Sequence, residues 1–349
     1  MSSPIKLISS AISNEKIKKN TKQKKSKLFI KIVESEILKP ISDHLNLIPI
    51  FYFSLFFFLS VSNFSCKQVP KVNGLQYSDT IISPAIPVYF FAIHPLNNSI
   101  KLMEMYQPLI DYLNSQINGA QFELEASLNY SAFEQKIRNR KPEFILPNPY
   151  QTLLAINSGY NVIAMAGDPK DFKGLFIVRK DAGINQPSDL IGKEVSYASP
   201  TAFSSCIMTQ YFLYKHGINI NKDIKNVFTG TSESAIMNAY LKETSAATTW
   251  PQPWRIFIKD HPAKASKLKV IWETESLINN SVMVRNDIPV DIIVQVKKCL
   301  SELHESVKGK TILKGMETEG FYNASNKTYD VVKTYTHRFE KEVRKIDTP

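Results

Sequence analysis

The sequence predicts an α/β protein of two lobes, and three observations carry that expectation. Short apolar runs alternate with segments of helical periodicity, the pattern of a mainly parallel sheet with crossover helices. A strand–elbow–helix pattern occurs twice, as Phe144-Ile-Leu-Pro-Asn-Pro-Tyr150 and as Glu194-Val-Ser-Tyr-Ala-Ser199-Pro200-Thr-Ala-Phe-Ser-Ser. In each, a capping residue (Asn148, Ser199) precedes a proline at the first helical position, where a missing N–H costs nothing. Finally, 349 residues exceed one usual core. Each elbow points open N–H groups out of the carboxyl edge of a sheet, where α/β proteins bind ligands and small anions find donors. Two of them, in different halves of the chain, imply two lobes facing one ligand.

The charge is +11 overall but uneven. Residues 1–46 carry ten Lys against Glu15, Glu34, Glu36 and Asp43, leaving +5 for the remainder. That distribution reads as a solvated or membrane-proximal tail rather than a nucleic-acid footprint, and no zinc-finger or aromatic-studded basic motif is present. The three cysteines, Cys66, Cys206 and Cys299, form no CxxC pair. Cys206 and Cys299 sit in apolar helical patterns as small hydrophobes, with a disulfide between them left open.

After the Lys-rich segment comes the uncharged run 47–61, short for a membrane span, then Ser62-Asn63-Phe64-Ser65-Cys66. This resembles a bacterial lipoprotein export signal, which implies cleavage after Ser65 and a lipidated Cys66. The long basic region and the bulky Phe64 and Asn63 depart from such signals. An uncleaved anchor and a buried apolar segment remain as alternatives. Residues 67–84, polar and Pro-flanked, read as a tether.

The folded body starts near residue 85. Residues 86–93 read as a strand buried on both faces, and His94 opens the turn that follows. Leu102, Met105, Tyr106, Leu109, Ile110, Leu113 and Ile117 repeat at helical spacing up to Gly119. Residues 121–125 are a strand, and Ser131-Ala-Phe-Glu134 reads as a capping box opening a helix to Arg140. The 144–146 strand and its helix, closed by Gly159, precede strands 161–166 and 174–179. A second set then begins: strand 194–198, a helix from Ser199 to Gly217, strand 226–229, a third polar elbow at Thr229-Gly-Thr-Ser-Glu-Ser234, and strand 246–250. The chain leaves that strand through Pro251-Gln-Pro-Trp254. Strands at 268–272 and 281–285 and helices at 290–306 and 329–344 complete the chain. The expected division is residues 85–182 plus 281–349 for lobe 1 and 183–280 for lobe 2, with hinge crossings near 180–184 and 274–282.

The order of these features is similar to that in a known family. Pro95 to Ile117 with its preceding strand, Ala126-Ser127 with Tyr130, the three elbows, Lys269-Val-Ile-Trp272 and Gly320-Phe321 resemble the phosphate/phosphite/phosphonate-binding proteins of ABC importers. The likeness spans about residues 86–345. It implies a type II periplasmic-binding-protein fold, two α/β lobes with mainly parallel sheets joined by a two-strand hinge. It also implies an exported monomer that takes no cofactor and hands a small oxyanion to a membrane permease. Thr201, Ser204 and Ser205 match the family's hydroxyl-rich second-lobe elbow. Gly230-Thr231-Ser232 stands where phosphonate binders commonly show Gly-His-Glu, so an imidazole and a carboxylate are missing there. Tyr130 keeps the Ser-x-x-Tyr spacing, while Pro147-Asn148-Pro149-Tyr150 differs from the commoner elbow. Trp250 and Trp254 add aromatic walls suited to an organic or cationic ligand part.

The candidate ligand-binding residues are thus His94, Tyr130, Asn148, Tyr150, Thr201, Ser204, Ser205, Thr231, Ser232 and Trp250. Each also has a structural reading: helix caps for the hydroxyl residues, half-buried packing for the tyrosines, hinge core for Trp250, and a turn residue for His94. No metal spacing links the remaining histidines. No P-loop, Gly-x-Ser-x-Gly, His-Glu-x-x-His or paired-carboxylate motif supports an enzyme. The alternatives are the same fold binding an organic sulfonate or a cationic or aromatic metabolite, or serving as the ligand-sensing partner of a membrane signalling protein.

Overall fold

A computed structural model of the protein describes residues 86–346. Cys66, the apolar run and the tether lie outside the described residues. The body contains two sheets with helices on both faces. Val88–Ile93 (β1), Ser99–Gln116 (α1), Gln121–Glu125 (β2), Tyr130–Arg138 (α2), Phe144–Leu146 (β3), Pro149–Asn157 (α3) and Tyr160–Ala166 (β4) build the first lobe. Leu175–Arg179 (β5), Glu194–Tyr197 (β6), Thr209–Lys215 (α4), Lys225–Phe228 (β7), Ser232–Leu241 (α5), Ala246–Thr249 (β8), Pro251–Asp260 (α6), Pro262–Ala265 (α7) and Leu268–Glu273 (β9) build the second. The chain then returns to the first lobe as Asn280–Arg285 (β10), Val290–Glu302 (α8), Val307–Gly315 (α9), Phe321–Tyr322 (β11) and Asp330–Glu342 (α10).

Strand order is β11-β4-β10-β3-β1-β2 in one sheet and β7-β6-β8-β5-β9 in the other. Both sheets are mixed rather than mainly parallel. The strand entered on each crossing, β5 or β10, runs antiparallel to its neighbours. A strand arriving from the opposite lobe starts at the edge where its neighbours end, so it must run against them. β5 pairs within the second sheet. The first crossing is therefore residues 167–174, earlier than the expected 180–184, and the second is 274–279. The crossings bond to each other: Gly174 N donates to Thr274 Oγ1 at 2.8 Å and Thr274 N to Gly174 O at 2.9 Å. A Cβ at Gly174 would stand 2.6 Å from Ser204 O and 3.0 Å from Thr274 Cγ2, so only glycine fits there.

Packing follows the helical spacing. Leu102, Met105, Leu109 and Leu113 of α1 meet Val296 and Leu300 of α8 on one face of the first sheet. Phe133 and Ile137 of α2, Ala155 of α3 and Phe339 of α10 fill the other face. β1 differs from expectation: Val88 and Phe90 are 41% exposed, so its first half is covered on one face only. The chain leaves β8 through residues 251–254, as expected, and these open α6, because proline fits the first turn of a helix. Side chains also cross between lobes. Tyr130 packs among Tyr197, Ala198 and Ala202 of the second lobe, and Phe203 and Ile207 join the first-lobe cluster. At the mouth, Asn98 Nδ2 donates to Glu233 Oε2 at 2.9 Å and Lys101 pairs with Asp260 at 2.8 Å.

Candidate ligand-binding site

The carboxyl edges of the two sheets face each other, and the elbows meet between them. At the first elbow the sequence dictates the structure. Asn148 Oδ1 accepts Gln151 N at 2.9 Å, Gln151 Oε1 returns to Asn148 N at 3.2 Å, and Pro149 opens α3. Gly159, at φ +83°, takes the left-handed conformation that ends it. This cap leaves Asn148 Nδ2 free, and it donates across the cleft to Thr201 O at 3.2 Å.

The second elbow is built otherwise. Ser199 does not cap a helix and Pro200 does not begin one. Ser199 Oγ instead accepts Thr201 N at 3.3 Å, and Ala202 N bonds Ser199 O at 3.1 Å, closing a turn. The helix starts at Phe203 with a π-helical stretch, Phe203–Met208, before α4. Side-chain donors explain the wide turn. Thr209 Oγ1 contacts the carbonyls of Ser205 and Cys206 at 3.0 and 3.1 Å, and Thr248 Oγ1 also donates to Ser205 O. These hydroxyls compete for carbonyls that regular α-helical bonding would use. The N–H groups of Phe203, Ser204 and Ser205 precede the first helical bond, from Cys206 N to Ala202 O at 2.8 Å. Such amides, with the helix dipole behind them, suit an anion.

Thr201 sits between the elbows, fully buried, and its Oγ1 donates to Glu134 Oε1 at 2.6 Å. Gln151 Nε2 donates to the same oxygen at 3.1 Å. The Ser131–Glu134 capping box expected from the sequence does not form, because the cap of α2 is Asn129, which accepts Ala132 N at 2.9 Å. Released from that role, Glu134 lies on the inner face of α2 with Phe133 and Ile137. Its spacing from Tyr130 and Ile137 is the signal that marks it. Burial raises its pKa, while the Thr201 and Gln151 hydrogen bonds oppose the shift.

His94 follows β1, and its ring Nδ1 lies 3.0 Å from Leu146 O. A carbonyl only accepts, so Nδ1 carries the proton. Burial lowers the imidazole to about 4, leaving it neutral at pH 7. Tyr130 meets its edge at a centroid distance of 6.1 Å. Tyr150 is half-buried on α3, with its hydroxyl pushed up to about 12 mainly by burial and then by the Glu134 charge. At the third elbow, Thr231 is an ordinary cap: its Oγ1 accepts Ser234 N at 3.1 Å and donates to Ser234 Oγ at 3.0 Å. Ser232, beside it, is fully buried with an unpartnered Oγ. Ser127 Oγ, Thr249 Oγ1 and Asn280 Oδ1 are likewise buried without partners at the carboxyl edges. The fully buried residues described include no Lys or Arg; the half-buried Arg344 reaches the second elbow, its Nη2 donating to Pro200 O at 2.9 Å.

Trp250 stands apart from these donors. It packs on Phe172 at 5.4 Å and walls a void of about 10 Å³, room for one water. That void is also lined by Asp168, Asp171, Glu317 and Glu319, whose carboxylates disfavour an oxyanion. Cys206 is buried, its thiol pushed up to about 11, which fits packing rather than reactivity. Among the described residues, no group of His, Cys, Asp or Glu could hold a metal ion, and no helix is long and apolar enough to cross a membrane.

Comparison with known proteins follows the same outline. A family profile described as ABC transporter, phosphonate, periplasmic substrate-binding protein matches residues 91–329. The probable ABC transporter phosphite binding protein PhnD1 of Prochlorococcus marinus (strain MIT 9301) is 24% identical over 193 residues, 52% of this chain and 65% of its own. The tetrathionate sensor histidine kinase TtrS of Salmonella typhimurium is 25% identical over 140 residues, 38% of this chain and 24% of that protein. The chain thus spans less than two thirds of either relative. Among solved structures, a binding protein component of the ABC phosphonate transporter from Pseudomonas aeruginosa shares the fold, with TM-score 0.69, 17% identity, and coverage of 73% of this chain and 87% of that one. PhnD1 in complex with methylphosphonate gives TM-score 0.66, 20% identity, and coverage of 73% and 98%. The family description is of an exported transport component and not of an enzyme. The profile match covers well over half of the sequence, and the chain belongs to the phosphonate-binding family of periplasmic substrate-binding proteins of ABC transporters.

Proposed function

We propose that the protein captures one small oxyanion of the phosphate, phosphite or phosphonate class between its lobes and delivers it to a membrane permease. The observation that carries this reading is the meeting at Thr201. Glu134 and Asn148 of the first lobe both bond it, immediately beside the open helix start at residues 203–205. A ligand placed there touches both lobes, so its binding energy favours the closed arrangement. Ser204, Ser205, Thr201 and Ser232 are the second-lobe contacts, with Tyr130 and His94 the first-lobe wall. Thr231 serves α5 as a cap and stays outside the contact set. Lipidated Cys66, or the apolar run before it, holds the monomer at the membrane.

Calorimetry against phosphate, phosphite, methylphosphonate, methanesulfonate and small cationic heterocycles tests the reading, with small-angle scattering to follow closure. Binding of a phosphorus oxyanion with a smaller radius of gyration is the expected result. Silence across the panel with unchanged scattering would sink it. A second reading, ligand sensing for a membrane kinase, draws on the similarity to TtrS. Co-purification with a permease rather than a kinase separates the two.

A further inference from the structure

Among the described residues, Glu134 is the one fully buried carboxylate. Its side chain lies on the face of α2 that carries Tyr130, Phe133 and Ile137, where an apolar residue would satisfy the helix equally well. Oε1 receives Thr201 Oγ1 and Gln151 Nε2, but Oε2 is buried with no hydrogen-bond partner. A buried carboxylate oxygen without a donor is strongly disfavoured. No cation is bonded to it. The charged and titratable groups around it are Tyr130 and Arg138 of its own helix and Tyr150 of α3. Residues 199–202, packed against it from the other lobe, carry no charge themselves, and Arg344 is bonded to that turn at Pro200 O, 2.9 Å away. The third elbow offers no substitute, because Glu233 is already bonded to Asn98 and His261.

We propose that Glu134 is a specificity-determining residue: Oε2 accepts a hydrogen bond from a protonated oxygen of the bound oxyanion. The site therefore takes tetrahedral anions that keep a P–OH group and rejects those, such as sulfonates, that carry acceptors only. This rests on the oxyanion reading above. A sulfonate oxygen would meet the carboxylate oxygen acceptor to acceptor unless Glu134 first took up a proton, and that mismatch is the rejecting element. Because Oε1 holds Thr201 of the opposite lobe, the same carboxyl group also links recognition to closure.

The test is calorimetry at pH 7 with methylphosphonate and methanesulfonate, on the wild-type protein and Glu134→Gln. The glutamine keeps the shape and sets an amide donor where the free acceptor stood. The wild type is expected to prefer methylphosphonate by roughly 100-fold. In the variant, methylphosphonate affinity falls about tenfold and methanesulfonate affinity rises about tenfold. Equal wild-type affinities for the two anions overturn the proposal without any variant. So does a folded variant that shifts both affinities by one common factor, which marks a structural role only. Wild-type protein that binds neither anion nor any other phosphorus oxyanion overturns the oxyanion reading itself, a result distinct from failure of the Glu134 assignment.

Discussion

At residue 148 an Asn precedes a proline and caps an α-helix with its own side chain; at residue 199 a Ser precedes a proline and caps nothing beyond a turn. The spellings are alike and the structures are not. In the first elbow both halves of the Asn148 amide are engaged, one by the helix and one by Thr201 of the opposite lobe. In the second, the turn takes the Ser199 hydroxyl, and the helix start four residues later has no side-chain cap. The contrast separates two duties. The first elbow is a capped support that reaches across the cleft, and the second leaves the amides of residues 203–205 without a side-chain cap.

That contrast can be broken at four places, in falling order of effect. The largest concerns His94, at the end of the strand next to the first elbow. The folded state refuses a proton that the unfolded chain takes up near pH 6.5. Stability is therefore full above that pH and falls as pH drops toward about 4, a loss on the order of 3 kcal/mol that levels off below. Glu134, raised instead, gives a contribution that is lost as pH rises through its folded value, so it partly offsets the slope. Urea denaturation of His94→Gln at pH 7 and pH 4.5 should show a clearly shallower decline than wild type. An identical decline would place the titration elsewhere.

Next, Thr201→Val removes the hydroxyl that joins the lobes at Glu134. It should weaken methylphosphonate binding by about 2 kcal/mol, roughly 30-fold, in a calorimetric titration. A variant with wild-type affinity would mean that the bond to Glu134 does not help hold the lobes around ligand.

Asn148→Ala should lower both stability and affinity, because one side chain serves the helix and the cleft. The stability loss, read from a denaturation midpoint, is about 1 kcal/mol. Destabilisation with wild-type affinity would reduce Asn148 to a plain cap. Thr231→Ala sharpens the comparison from the other side. It should cost about 1 kcal/mol of stability with affinity unchanged, since its hydroxyl is fully occupied by Ser234. A tenfold drop in affinity there would return Thr231 to the binding set.

Much of the architecture was legible because local chemistry and tertiary structure agree. The α1 periodicity, the Asn148 cap, the Gly159 stop and the later strands all follow from short-range rules. Three features were not legible, for physical reasons. Which sheet β5 joins depends on pairing with β8 and β9, far along the chain. The wide turn at Phe203–Met208 depends on hydroxyls from Thr209 and Thr248, the second on a different strand. Glu134 matched a capping pattern that Asn129 preempted, and a carboxylate on an apolar helix face is the clue that competed with it. Capping motifs describe the donors a helix start needs, not which neighbour arrives first to supply them.

A crystal structure of the protein grown with methylphosphonate tests the central claim most directly. The account predicts the phosphorus between the amides of residues 203–205 and Glu134, with one phosphonate oxygen within hydrogen-bond distance of Oε2. A phosphonate lodged instead in the carboxylate-lined void beside Trp250, or on an outer surface with the two elbows untouched, would contradict it.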